Sequence, residues 1–209
     1  YKSWAARISL NLSAEGLSES DRTSLNAQYQ TLLEKSLKEY QTALILSPNN
    51  PIIWNELAQL YAIDLQDEVM FQETISKSLA VDTGFEQTWM LLGDMRSSKG
   101  DIEGAITAYR QSLEIRENCT VRRVVGTLYA QQSRWVEAEG ALELAVEKCA
   151  SSNELWEMYR VLAITYANTG KGVEAVQMAQ RSLALAPEAQ KSVVQQLLDQ
   201  LTGTTEDQP

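Results

Sequence analysis

Along most of the chain, apolar residues recur at helical spacing in paired stretches separated by short polar turns. The clearest pair is TWMLLGDMRSSKGDIEGAITAYRQSLEI, residues 88–115: an aromatic and a Leu-Gly step, a Gly-Asp turn, then alanines and a tyrosine. The layout recurs. A small residue following leucine or valine marks each first helix, at Ala58, Gly93, Gly126 and Ala163, with intervals of 35, 33 and 37 residues. Three positions further on stand Tyr61, Arg96, Tyr129 and Tyr166. Second helices are predicted in MFQETISKSLAV, IEGAITAYRQSLEI, VEAEGALELAVEK and VEAVQMAQRSLALAP, with apolar Leu79, Leu113, Val146 and Leu183 near their ends. Self-similarity at such a period is the mark of a stacked array, because one helical pair cannot bury its apolar face alone.

The ends of the array are less regular. LNAQYQTLLEKSLKEYQTALILSPNNP predicts a long helix, preceded by a loop around residues 15–20 and a first helix over YKSWAARISLNLS. At the other end, PEAQKSVVQQLLDQL has Pro187 at a helix start and Val193, Val194, Leu197, Leu198 and Leu201 on one stripe, as expected of a capping helix. We expect one domain over 1–203: an irregular unit over 1–50, units at 51–85, 86–118, 119–155 and 156–187, and a cap at 188–202, followed by a disordered tail over 204–209. The second unit carries one extra residue in IDLQDEV, expected between its helices. It also has Phe71 where a small residue belongs, which should hold those helices slightly apart. Three residues are added between Cys149 and Trp156, where Ser151 and Glu154 form a capping-box pattern that would start the next helix a turn early.

Composition narrows the function. The net charge of −10 is the reverse of the basic footprint of a nucleic-acid binder. Absence of histidine removes Ser-His-Asp and Cys-His catalysis and the HExxH zinc pattern. GDIEG and GKGVEA do not match a phosphate-binding glycine loop, and Cys119 and Cys149 form no CxxC pair, so no cofactor or metal is expected. Carboxylate pairs such as Glu137 with Glu139, or Asp94 with Asp101, are read as solvated helix faces, not as a hydrolase site. No apolar run reaches the roughly 18 residues of a membrane span. The chain begins at Tyr1 and is read as a piece of a longer protein, so that a membrane could be reached only through a segment upstream.

At this point the residues resemble the tetratricopeptide repeat, whose pattern is W-x2-L-G-x2-Y followed by a small residue, an aromatic, an alanine and a proline. The matches are Trp54, Leu57, Ala58, Tyr61 and Leu79; Trp89, Leu92, Gly93, Gly100, Ala105, Tyr109 and Leu113; Val125, Gly126, Tyr129, Ala138 and Ala145; Tyr159, Leu162, Ala163, Tyr166, Gly170, Ala175 and Pro187. Arg122 takes the tryptophan position of the fourth unit. The resemblance implies an all-α fold, a right-handed alpha-alpha superhelix of antiparallel helix pairs. It also implies a non-catalytic scaffold that binds a protein or peptide on a concave face lined by the first helices. The positions carried over are Asn55, Gln59 and Ile63; Met90, Asp94 and Ser98; Arg123, Thr127 and Gln131; Arg160, Ile164 and Asn168. An extended peptide with a carboxylate near Arg123 and Arg160 is the expected ligand; the alternative is that Arg123 pairs with an acidic neighbour. The carboxylate-clamp subset of the family has lysine and asparagine where this chain has Asn55 and Gln59, which disfavours a chaperone-tail receptor.

Trp54 and Trp89 fall at the family's buried packing position, whereas Trp135 is expected to be exposed at a turn. Cys119 opens one helix and Cys149 closes its antiparallel partner, a geometry that allows a disulfide if the α-carbons come within about 7 Å. Two unrelated thiols are the expectation. NLS at Asn11 and NCT at Asn118 match a glycosylation pattern that arises often by chance. WAARIS, LSPNNPIIWNELAQLY and residues 88–115 are also similar to repeat regions at the C-terminus of bacterial O-antigen ligase or polymerase-like membrane proteins. That likeness implies an accessory domain outside the cytoplasm, with catalysis upstream. Self-association through a terminal face of the array stays open.

Overall fold

The computed structural model describes residues 16–203, and every regular element among them is helical. The helix expected over 1–13 and the tail over 204–209 lie outside the described residues. The chain divides into two compact units, one up to Met95 and one from Arg96.

The first unit opens with α1, Glu19–Leu46, which starts earlier than the pattern suggests. Ser18 accounts for the difference: its hydroxyl accepts the N–H of Asp21, and Glu19 and Asp21 place negative charge at the helix N-terminus. Next comes α2, Pro51–Gln59, with Asn50 capping and Pro51 at its first position. It runs into a π-helical turn, Leu60–Asp64, and α3 follows at Glu68–Val81, capped by Asp67. The extra residue of this repeat is therefore absorbed where the first helix ends, and not in the connection alone. The Leu65 N–H reaches the Leu60 carbonyl at 3.0 Å and the Asp67 N–H the Tyr61 carbonyl at 2.9 Å, a widened turn of the kind that takes up one inserted residue. Leu33, Leu57, Ala58, Leu60, Tyr61, Phe71 and Ile75 form the buried interior, with Phe71 fully enclosed.

Helix α4, Glu86–Ser98, carries the boundary between the units. Beyond it lie α5, Ile102–Ile115; α6, Cys119–Gln131; α7, Trp135–Lys148; α8, Leu155–Asn168; α9, Gly172–Leu185; and the capping helix α10, Glu188–Thr202. Ala138, Leu142, Val161, Leu162, Ala163, Met178 and Ala179 make one buried cluster, and Leu197, Leu198 and Leu201 of α10 pack against it. Small residues allow the approach: a Cβ added at Gly126 of α6 would lie 2.6 Å from the Leu142 side chain of α7.

Three local expectations are corrected. Cys119 and Cys149 are bonded, with α-carbons 5.6 Å apart, because the antiparallel α6 and α7 bring that start and that end level. The Ser151–Glu154 capping box does not form and α8 begins at Leu155, because the Glu154 side chain turns away from its own helix while its N–H bonds the Ser152 hydroxyl at 3.1 Å. Trp54, Trp89 and Trp135 are all half-buried, neither core nor fully exposed. The indole N–H explains the first two: Trp54 donates to the Pro48 carbonyl at 2.7 Å and Trp89 to that of Thr83 at 2.9 Å, so each ring stays at the edge of the interior. Arg122, in place of a tryptophan, pairs with Glu117.

Candidate functional site

The expected docking positions lie on first helices, and their geometry is set separately in each unit. In the first, Asn55 and Gln59 sit one turn apart on α2 and are half-buried, and the Asn55 side-chain oxygen is enclosed without a hydrogen-bond partner. Ile63, 58% exposed, belongs to the π-helical turn, where each residue advances by less than an α-helical step; it therefore falls behind the row set by Asn55 and Gln59. Met90 is half-buried on α4 and Asp94 exposed.

In the second unit, Ser98 is exposed at the end of α4. Arg123, Thr127 and Gln131 follow one another by single turns along α6, as do Arg160, Ile164 and Asn168 along α8. Exposure rises along both rows, from half-buried arginines to exposed Gln131 and Asn168. The Thr127 hydroxyl donates to the Arg123 carbonyl at 2.9 Å, and the Asn168 amide to that of Ile164 at 2.8 Å. These groups keep acceptor oxygens for an incoming donor.

The arginines are already engaged. Arg123 Nε donates to Glu154 at 3.0 Å and a terminal nitrogen meets Glu157 at 3.4 Å, while Arg160 meets the same Glu157 at 3.6 Å. The Thr120 hydroxyl donates to the other oxygen of Glu154 at 3.2 Å. Two cations and two carboxylates thus form one neutral, partly open network joining α6 to the start of α8. Glu154 and Glu157 are absent from the sequence-derived positions. Glu157 was detectable as a helical neighbour three residues from Arg160; Glu154 was not, since its partner lies 31 residues away.

A second network flanks the turns of this unit. Lys171 reaches Glu139 at 2.5 Å and stands 5.2 Å from the Tyr166 ring, whose hydroxyl donates to Glu143 at 2.7 Å. Arg134 pairs with Glu103 and Glu137 and lies 4.7 Å from the Tyr129 ring. The Glu137 carboxyl is held below the usual range by a bond from its own backbone N–H and by Arg134, the opposite of what a general acid near neutral pH requires. Asp101 is spent on capping α5 through the Gly104 N–H. Among the described residues there is no cluster of three or more metal-ligating side chains, and no helix is long and apolar enough to cross a membrane.

Residues 86–119 match the model of the tetratricopeptide repeat. No curated protein matches over the chain. Among solved structures, MamA aligns at a TM-score of 0.62 and 18% identity, over 80% of this chain and 89% of that one. Yeast Tom70 aligns at 0.67 and 16%, over 98% of this chain and 44% of that one. A chain of Naa15/Naa10 bound to HypK-THB aligns at 0.60 and 18%, over 89% of this chain and 29% of that one. At these identities the likeness is one of fold. The protein has the all-α fold of a tetratricopeptide-repeat-type solenoid.

Proposed function

We propose that the chain is a non-catalytic scaffold that docks a protein or peptide partner on the faces of its first helices. The observation that carries this reading is the spacing of Arg123, Thr127 and Gln131 on α6 and of Arg160, Ile164 and Asn168 on α8. The α6 row offers a guanidinium, a hydroxyl and an amide at single-turn intervals, the α8 row a guanidinium, an aliphatic side chain and an amide, each with its outer end exposed. Asn55, Gln59, Ile63, Met90, Asp94 and Ser98 are the positions carried over to α2, its π-helical turn and α4. In the Naa15/Naa10 structure a chain of this fold belongs to an assembly bound to HypK-THB. The test is a capture experiment in which Gln131→Lys with Asn168→Lys is set against Gln177→Lys with Gln180→Lys, exposed positions on the second helix α9. A partner lost only from the first pair supports the docking face; one retained by both pairs refutes it.

The disulfide favours a place outside the cytoplasm, which is compatible with a second reading, an accessory domain of an O-antigen ligase or polymerase-like membrane protein. Such bonds persist in oxidising compartments and are rare in the cytosol. Thiol trapping in whole cells tests it: cysteines protected from alkylation until reduction are expected, and free thiols at Cys119 and Cys149 would contradict it.

A further inference from the structure

We propose that Glu154 is a built-in occupant of a carboxylate-binding site made by Thr120 and Arg123, with Arg160 held beside it through Glu157, and that this face accepts an acidic peptide when Glu154 is displaced. The proposal rests on the reading of first-helix faces as docking faces and names the chemistry of one subsite. Glu154 is seated as a ligand carboxylate would be, one oxygen on the Thr120 hydroxyl at 3.2 Å and the other on Arg123 Nε at 3.0 Å. Glu157 then holds the two guanidiniums around a common point, at 3.4 Å from Arg123 and 3.6 Å from Arg160. The side chains of Arg123, Glu154, Glu157 and Arg160 keep 18%, 35%, 28% and 28% of their surface open, so a ligand can reach them without unfolding either helix.

Where Glu154 comes from makes it displaceable. It lies in the residues added between Cys149 and Trp156, it precedes the first turn of α8, and, although its carbonyl accepts the Glu157 and Met158 N–H groups, its side chain makes no capping bond to that helix. Moving its side chain costs one charged pair and the bond from the Thr120 hydroxyl, while the backbone bonds at the start of α8 stay intact. The other end of the connector is pinned, since Cys149 is bonded to Cys119, the residue beside Thr120. Stopper and receiving groups are thus held within one short stretch of structure, and a free carboxylate must compete with a tethered one whose effective concentration is on the order of millimolar or more.

The network with Glu154 in place carries two cations and two carboxylates; without that charge it is left with a net positive charge of one. The chain as a whole carries −10, so an acidic probe gains little from non-specific attraction. The experiment is a fluorescence-anisotropy titration of a fluorescein-labelled penta-aspartate peptide at low salt. It compares the natural sequence, Glu154→Gln, and Glu154→Gln with Arg123→Gln, with helical content and melting checked for each. Glu154→Gln is expected to tighten binding by about tenfold or more, and the added Arg123→Gln to abolish the gain. No gain in Glu154→Gln, or a gain that survives loss of Arg123, overturns the proposal. Failure of the Gln131/Asn168 capture experiment alongside a gain in Glu154→Gln would refute the wider docking face while leaving the anion subsite in place.

Discussion

At the residue scale, one turn position shows how the chain solves the same problem in different ways. The left-handed residue is Gly100 between α4 and α5 and Gly170 between α8 and α9, both at φ 79°. At the corresponding position between α6 and α7 the chain has Ser133 at φ 56°, and between α2 and α3 Gln66 at φ 52°. A side chain at positive φ costs roughly 1 kcal/mol or more, partly offset by the lower entropy of the unfolded chain. Ser133→Gly and Gln66→Gly should therefore each raise stability, by up to about 1 kcal/mol, in chemical denaturation. Gly126 behaves in the opposite way. With the Leu142 side chain 2.6 Å from the added Cβ, Gly126→Ala should cost about 1–3 kcal/mol despite the better helix propensity of alanine, a loss readable in the same melts.

Tyrosines supply a residue-scale test by pH. Burial, reinforced by the bond to Asp64, pushes the Tyr29 phenol up to about 12, and burial with the nearby Glu56 charge does the same for Tyr40. Tyr166, half-buried and bonded to Glu143, is also raised. A tyrosine is neutral when protonated, so a raised folded pKa means that the folded state holds the proton more tightly than the unfolded one. Their contribution is complete below the ordinary value of 10.0 and is lost as pH climbs from there toward 12. Ultraviolet titration should show a late-ionising set of phenols, and thermal melts should be flat from about neutral pH to pH 10 and fall above it; early ionisation of every phenol would contradict the half-buried placements.

At the element scale, the paired helices were legible because their packing depends on small residues, and Ala58, Gly126 and Ala163 announce themselves by recurrence. What escaped has a common physical cause. The added residue of IDLQDEV is visible as a count, but where the backbone absorbs it depends on which carbonyls find donors, and the π-helical turn at Leu60–Asp64 has no pattern of its own. The capping box failed because a longer-range partner, Arg123, competes for Glu154. The tryptophans occupy the places the pattern gives them, yet their N–H groups need carbonyls at the rim and hold the rings half outside. The disulfide needed the relative height of α6 and α7, which spacing alone left open. Its loop of 30 residues makes it a clamp on the unfolded chain, and Cys119→Ser with Cys149→Ser should lower stability by roughly 2–4 kcal/mol in denaturant titrations. An unchanged midpoint would show that the bond contributes little to the fold.

At the scale of the whole molecule, the described residues form successive helical pairs. Carboxylates that could be imagined as catalytic are spent otherwise: Glu139 on Lys171 and Thr169, Glu137 on Arg134, Asp101 on a helix cap. The positions proposed for docking come from the resemblance to the repeat family, and single-turn spacing places those of α6, and those of α8, on one face of their helix. Their charge state could not, since neutralisation of Arg123 comes from a residue that only tertiary packing brings near. The most direct test of the scaffold account is the paired capture measurement, with the Gln131→Lys/Asn168→Lys and Gln177→Lys/Gln180→Lys variants matched in added charge and in melting temperature. The account predicts that a partner bound by the natural sequence is lost only when the α6 and α8 faces are altered; equal retention by both variants, or loss confined to the α9 variant, would contradict it.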